Sequence, residues 1–116
     1  MKTIDRPDTG PVEPSVLRLA ELVAYQSGSV VSRQLLRKET GGVTLFAFAA
    51  GQGLSEHTAP FDALVHVLEG EADVAVGARK FRVAAGEAIV LPANVPHALD
   101  AATPFKMSLT MIRSPA

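Results

Sequence analysis

From Ser29 onward the chain alternates apolar and polar side chains with a period near two, and before Gly28 it does not. Two runs show it most clearly. In Lys80–Ala84, Phe81 and Val83 alternate with Lys80 and Arg82; in Phe105–Met111, Phe105, Met107, Leu109 and Met111 lie on one side and Lys106, Ser108 and Thr110 on the other. A period of two marks strands with one buried face. Glycines punctuate the pattern. Gly41-Gly42 separate Ser29–Lys38 from Val43–Ala50, and Gly70 separates Ala63–Glu69 from Glu71–Val76. Gly77-Ala78 and Ala85-Gly86 then turn the chain into Lys80–Ala84 and Glu87–Leu91. About eight short strands joined by such turns predict an all-β antiparallel sandwich or barrel that closes on itself. Val43–Ala50 and Leu64–Leu68 are apolar on both faces, so they need a second cover, either a helix or another subunit.

The first 28 residues follow other rules. Residues 1–14 carry Pro7, Gly10, Pro11 and Pro14 among charged side chains, which reads as a flexible, extended arm ahead of a single domain over residues 15–116. Between Ser15 and Tyr25 the apolar positions Val16, Leu19, Ala20 and Val23 recur at helical spacing. With Ser15 as N-cap and Ser27-Gly28 as terminator, the spacing predicts one short helix packed outside the barrel.

Composition narrows the function classes. The net charge of −1 and the absence of a clustered basic face argue against nucleic acid or an anionic membrane as partner. No apolar run approaches the roughly 18–20 residues that span a bilayer, and Met1–Arg6 lacks the apolar stretch of a signal peptide. With no cysteine, disulfides, thiol catalysis and thiolate metal sites are excluded. These features point to the cytoplasm.

The densest chemical signal is Leu91-Pro92-Ala93-Asn94-Val95-Pro96-His97. Two prolines fix their own φ and bias the residues before them toward extended geometry, so the segment is a rigid bend delivering one imidazole. Such an imidazole is suited to hold a metal or move a proton near neutral pH.

This segment resembles the second motif of the cupins, a jelly-roll superfamily. Gly86, Pro92 and His97 occupy their places, and Asn94 stands where the family has glycine. Asparagine is the usual substitute at positive φ. Ala101 replaces the family's later asparagine. The first cupin motif is matched in frame by Gly51, His57, Ala59, Ala63 and Gly70, with alanine at two of its metal-ligand positions. The resemblance covers roughly residues 30–112. It implies a double-stranded β-helix and, in members that carry iron, manganese, zinc, nickel or copper, a site of two or three histidines and a glutamate inside the barrel. Here only His57 and His97 match that set, and a stable divalent site normally has at least three protein ligands.

Strand phase decides what could join them. If Ala63 keeps the family's inward direction, Val65 and Val67 also point inward while Asp62 and His66 point out. If Pro60-Phe61 shifts the phase by one, Asp62, Leu64, His66 and Leu68 turn inward instead, giving three histidines and a carboxylate. Phe61 lies at the barrel mouth in the family frame and either gates it or packs. Met107 belongs to the core or lines an apolar pocket. Glu56, beside His57, is expected on the opposite, solvated face.

Three function classes follow. The leading one is a module that binds a small molecule around His57 and His97, with Phe61 and Met107 beside them. The others are a metal-dependent enzyme (dioxygenase, isomerase or lyase) and a structural homo-oligomer whose pocket has decayed. The strands that are apolar on both faces predict a homodimer.

Overall fold

Strands dominate because the alternating segments bury one face each. The computed structural model describes the backbone of Lys2–Ile4 and residues 13–113; the remainder of the leader and residues 114–116 lie outside the described residues. The strands are β1 (Lys2–Ile4), β2 (Ser29–Lys38), β3 (Gly41–Phe48), β4 (Gly53–His57), β5 (Asp62–Glu69), β6 (Glu71–Val76), β7 (Arg79–Ala84), β8 (Ala88–Leu91), β9 (His97–Asp100) and β10 (Phe105–Ile112). They form two sheets in the orders β1-β2-β3-β10-β5-β8 and β4-β9-β6-β7. Every pairing is antiparallel except that of β1 with β2. This is the jelly-roll arrangement expected from the glycine-marked hairpins.

The core fills the space between the sheets. Val30, Phe48, Val65, Val67, Phe105 and Met107 have no exposed surface, and Ala72, Val74, Val83, Leu91 and Leu99 close the cluster. Phe48 and Phe105 are direct cross-strand partners whose rings stack with centroids 4.5 Å apart. At Gly41, where φ is +154°, an added Cβ would collide with the Met111 carbonyl, so only glycine lets β3 and β10 meet at that end.

The predicted helix over Ser15–Tyr25 is not formed. The segment makes a single 3-10 turn at Leu19–Glu21, and Val16 is fully exposed. So short a segment is marginal as an isolated helix, and contacts distant in sequence decide its course. Val23 is buried against Leu45 and Ala47 on the outer face of the larger sheet, flanked by Leu19, Leu22, Val31, Leu35 and Leu68. Lys106 reaches up from β10 to donate its Nζ–H to the Ala20 carbonyl at 2.6 Å, and Tyr25 donates its hydroxyl to Glu69 at 2.5 Å. Burial, with the adjoining Glu69 carboxylate, pushes the Tyr25 phenol well above its ordinary pKa.

Candidate functional site

The inner face of the smaller sheet carries three aligned residues at its open end. Val76, His97 and His57 are register partners across β6, β9 and β4, and Val74, Leu99 and Leu54 form the next row toward the core. The two imidazoles therefore stand on an apolar floor at the barrel mouth. Their ring centroids are 4.5 Å apart at an interplanar angle of 68°, edge to face. His97 is buried and His57 is exposed, so the pair bridges core and solvent.

A β-bulge makes the pairing possible. Leu54 pairs with Leu99 and His57 with His97, so β4 inserts one more residue than β9 between the two rungs. Simple alternation would put Leu54 and His57 on opposite faces; the extra residue resets the phase and re-aims His57 beside His97. Ser55 and Glu56 occupy the bulge and are exposed, consistent with the solvated role expected for Glu56.

His97 owes its position to the preceding loop. Asn94 adopts φ +64° and donates its backbone N–H to the Ala59 carbonyl at 2.8 Å. Gly77 N–H reaches the Pro96 carbonyl at 2.8 Å, and Ala93 N–H reaches the Asp62 carboxylate at 2.9 Å. The loop is thus pinned to three other segments, at Ala59, Asp62 and Gly77.

Each histidine is oriented by the carbonyl two residues before it. His57 Nδ1 lies 2.8 Å from the Ser55 carbonyl oxygen, and His97 Nδ1 lies 3.2 Å from that of Val95. Carbonyls only accept, so Nδ1 carries the proton on both rings. With Nδ1 so engaged, Nε2 is the atom that each ring turns to a ligand. Burial depresses the His97 pKa below the ordinary imidazole value; the Val95 hydrogen bond opposes this and the proximity of His57 adds to it. His97 is thus held neutral at physiological pH.

That depression has a stability consequence. Between the folded-state pKa and the ordinary value near 6.5, the unfolded chain binds more protons, so stability rises with pH across that window. The contribution is complete above about pH 6.5 and is lost as the pH falls toward the folded-state value. Urea unfolding at pH 7.5 and pH 5 is expected to show a lower midpoint at pH 5, and His97→Gln is expected to flatten the difference. An unchanged difference in the variant would assign it to other groups.

The other sequence candidates do not converge on the pair. Ala63, Val65 and Val67 are buried and inward, so the unshifted phase holds and the shifted one is corrected. Asp62 is exposed on the outer face, where it anchors Ala93, and His66 faces outward opposite Ser108. Proline and phenylalanine at 60 and 61 do not slip the strand because Ala63 pairs directly with both Leu91 and Met111. Met107 is wholly buried in the core. Phe61 is partly buried and carries the Arg113 guanidinium 5.5 Å above its ring. Among the described residues no group of three His, Cys, Asp or Glu side chains is placed to hold a metal ion. Two imidazoles do not fit a resident divalent metal, which wants at least three protein ligands.

The family model described as the cupin domain matches residues 44–113, which include both histidines and both motif frames. The chain belongs to the cupin family. A conserved protein of unknown function from Streptococcus pyogenes is 35% identical, with a TM-score of 0.85 and coverage of 91% of this cupin and 93% of that chain. A cupin 2 conserved barrel domain protein from Leptotrichia buccalis is 44% identical, with a TM-score of 0.81, covering 84% of this chain and 47% of that one. A cupin superfamily protein from Desulfitobacterium hafniense is 28% identical, with a TM-score of 0.82, covering 94% and 99% respectively. A comparison with curated proteins returns no significant match. No helix among the described residues of this cupin is long and apolar enough to cross a membrane.

Proposed function

We propose that this cupin binds a small organic molecule at the mouth of its barrel through His57 and His97. The observation that carries the reading is the 4.5 Å pairing of two rings whose Nδ1 atoms are both committed to backbone carbonyls. Two Nε2 atoms above an apolar floor suit a ligand that offers hydrogen-bond donors, such as hydroxyl or amine groups, on a compact apolar frame. The depressed His97 pKa favours such a donor-rich ligand over an anion at this pair. Screening small polyols, amines and hydroxylated acids by thermal shift tests the reading. Stabilising compounds are expected for the native sequence, and their effect is expected to vanish in both His57→Ala and His97→Ala. Stabilisation that survives both substitutions would contradict it.

We also propose that the protein works as a homodimer joined through the outer face of its larger sheet. Leu36, Val43, Thr110, Leu64 and Val90 are successive register partners across β2, β3, β10, β5 and β8. Leu36, Leu64 and Val90 are 41%, 43% and 59% exposed, and Ile112, on the same face, is 63% exposed. A transverse apolar row of this kind is costly to leave in water. A second copy suits it because an identical row, turned about a two-fold axis along the strands, presents the same apolar side chains to be covered. Light scattering at micromolar concentration is expected to give a dimer, and Leu64→Asp a monomer. A native-sequence monomer would contradict the proposal.

A further inference from the structure

A second feature of the barrel mouth lies on the larger sheet. A cavity of about 670 Å³ opens at the β2–β3 hairpin, with Arg37, Lys38, Glu39, Phe61, Met111 and Arg113 in its lining. Its volume falls within the roughly 300–1,000 Å³ of small-molecule sites. Neither histidine lines it. It is built by three separated segments: the end of β2, the residues leading into β5, and the end of β10. On the rung formed by Arg37, Gly42 and Met111, the central position has no side chain, so the arginine and methionine flank an open space.

The lining is chemically divided. Phe61 and Met111 supply an apolar wall, while Arg37, Lys38 and Arg113 supply three cations against the single carboxylate of Glu39. Arg113 is held in place twice, by its Nε–H donated to the Glu39 carbonyl at 3.2 Å and by its seat over Phe61. That arrangement commits Nε and leaves the Nη groups for another acceptor. Among the described residues, none of Arg37, Lys38 and Arg113 forms an ion pair. Three cations against the one carboxylate of Glu39 leave the cavity net positive, which favours an anion there.

We propose that this cavity is a binding site for a small amphipathic carboxylate, with its carboxylate on Arg37, Lys38 and Arg113 and its apolar body against Phe61 and Met111. The site goes beyond the histidine pair and uses none of its atoms. The planar guanidinium groups of Arg37 and Arg113 suit bidentate capture of a carboxylate, and Phe61 suits a flat or short alkyl body. Inorganic phosphate satisfies the cations but leaves the apolar wall in water, so it binds more weakly than an organic acid.

The test is a titration of the full-length protein followed by NMR, with benzoate as probe and benzyl alcohol and inorganic phosphate as comparators. Benzoate is expected to give saturable shifts centred on Phe61, Met111 and Arg113, while benzyl alcohol and phosphate bind at least several-fold more weakly. Arg37→Gln and Lys38→Gln, both exposed and free of internal ion pairs, are each expected to weaken benzoate by about tenfold. The dispersed spectrum of each variant reports its fold in the same measurement. His57→Ala and His97→Ala are expected to leave benzoate affinity unchanged. Absence of saturable benzoate shifts, equal binding of benzyl alcohol, indifference to both charge removals, or loss on removing either histidine would each overturn the proposal.

Discussion

Phe105→Ala is expected to lower the free energy of unfolding by about 3–5 kcal/mol, the range for deleting a fully buried aromatic side chain. Phe105 has no exposed surface, opens β10, and stacks on Phe48 at 4.5 Å with the ring planes 11° apart. Phe46 in turn stacks on Phe48 at 5.8 Å, so the deletion removes the end of an aromatic column. The surrounding strands are too tightly registered to collapse into the void, because β10 is paired on both edges, with β3 and with β5. A domain of this size has a total stability of about 5–15 kcal/mol, so the variant stands near the limit of folding at room temperature. Urea unfolding followed by circular dichroism checks it: the midpoint falls sharply while the denaturant slope stays constant. A loss below about 1 kcal/mol would show that the core is not organised around this stack.

The second large effect concerns binding. For compounds that stabilise the native sequence, His57→Ala and His97→Ala are each expected to weaken affinity by about ten- to a hundredfold, the loss when one of two acceptors holding a shared ligand is removed. The double variant is expected to lose little more than either single one, since groups that act as a unit are not additive. Removing only the β9 imidazole leaves its partner with a single-point contact on an apolar floor. His66→Ala is the matched control: that side chain faces outward opposite Ser108 and is expected to leave affinity unchanged. Isothermal titration calorimetry on the native protein and the four variants separates the outcomes. Additive losses would mean that the two rings serve different ligands, and a loss at His66 would place the site on the outer face.

Much of this architecture is legible in the chain because it is governed by local rules. Ser29–Lys38 and Glu71–Val76 run between the same residues as the strands that form, since alternation and flanking glycines define both ends. The positive φ of Asn94 is what the cupin resemblance implies, since asparagine stands there in the motif's glycine place. On β5 the resemblance favours the phase that forms, through the Ala63-to-Gly70 spacing, although Leu64 and Leu68 are as apolar as Val65 and Val67; tertiary pairing of Ala63 with Leu91 and Met111 settles it. The helix over Ser15–Tyr25 failed for the opposite reason. Its periodicity was real, but contacts from Lys106 and Glu69, more than forty residues away, outweigh helix propensity in so short a segment.

Two features of the mouth had no local signature. The bulge between Leu54 and His57 leaves no trace in Gly53-Leu54-Ser55-Glu56-His57, because its cause is the register with β9. Motif resemblance brought His57 and His97 together, but the reason they face one another is this extra residue. The basic cavity was equally hidden, since Arg37, Phe61 and Arg113 come from distant segments and only the closure of the barrel gathers them. Asp62 plays a different part from the ligand role weighed for it: it faces outward and holds the Ala93 amide of the loop that presents His97.

The central claim is that His57 and His97 form one site with both Nε2 lone pairs free. Long-range proton–nitrogen correlation spectra of histidine-labelled protein at pH 7.5 test it directly. The expected result is a protonated Nδ1 and an unprotonated Nε2 on both residues, with a through-space contact between the two rings. A proton on Nε2 of either ring, or no contact between them, would contradict the account.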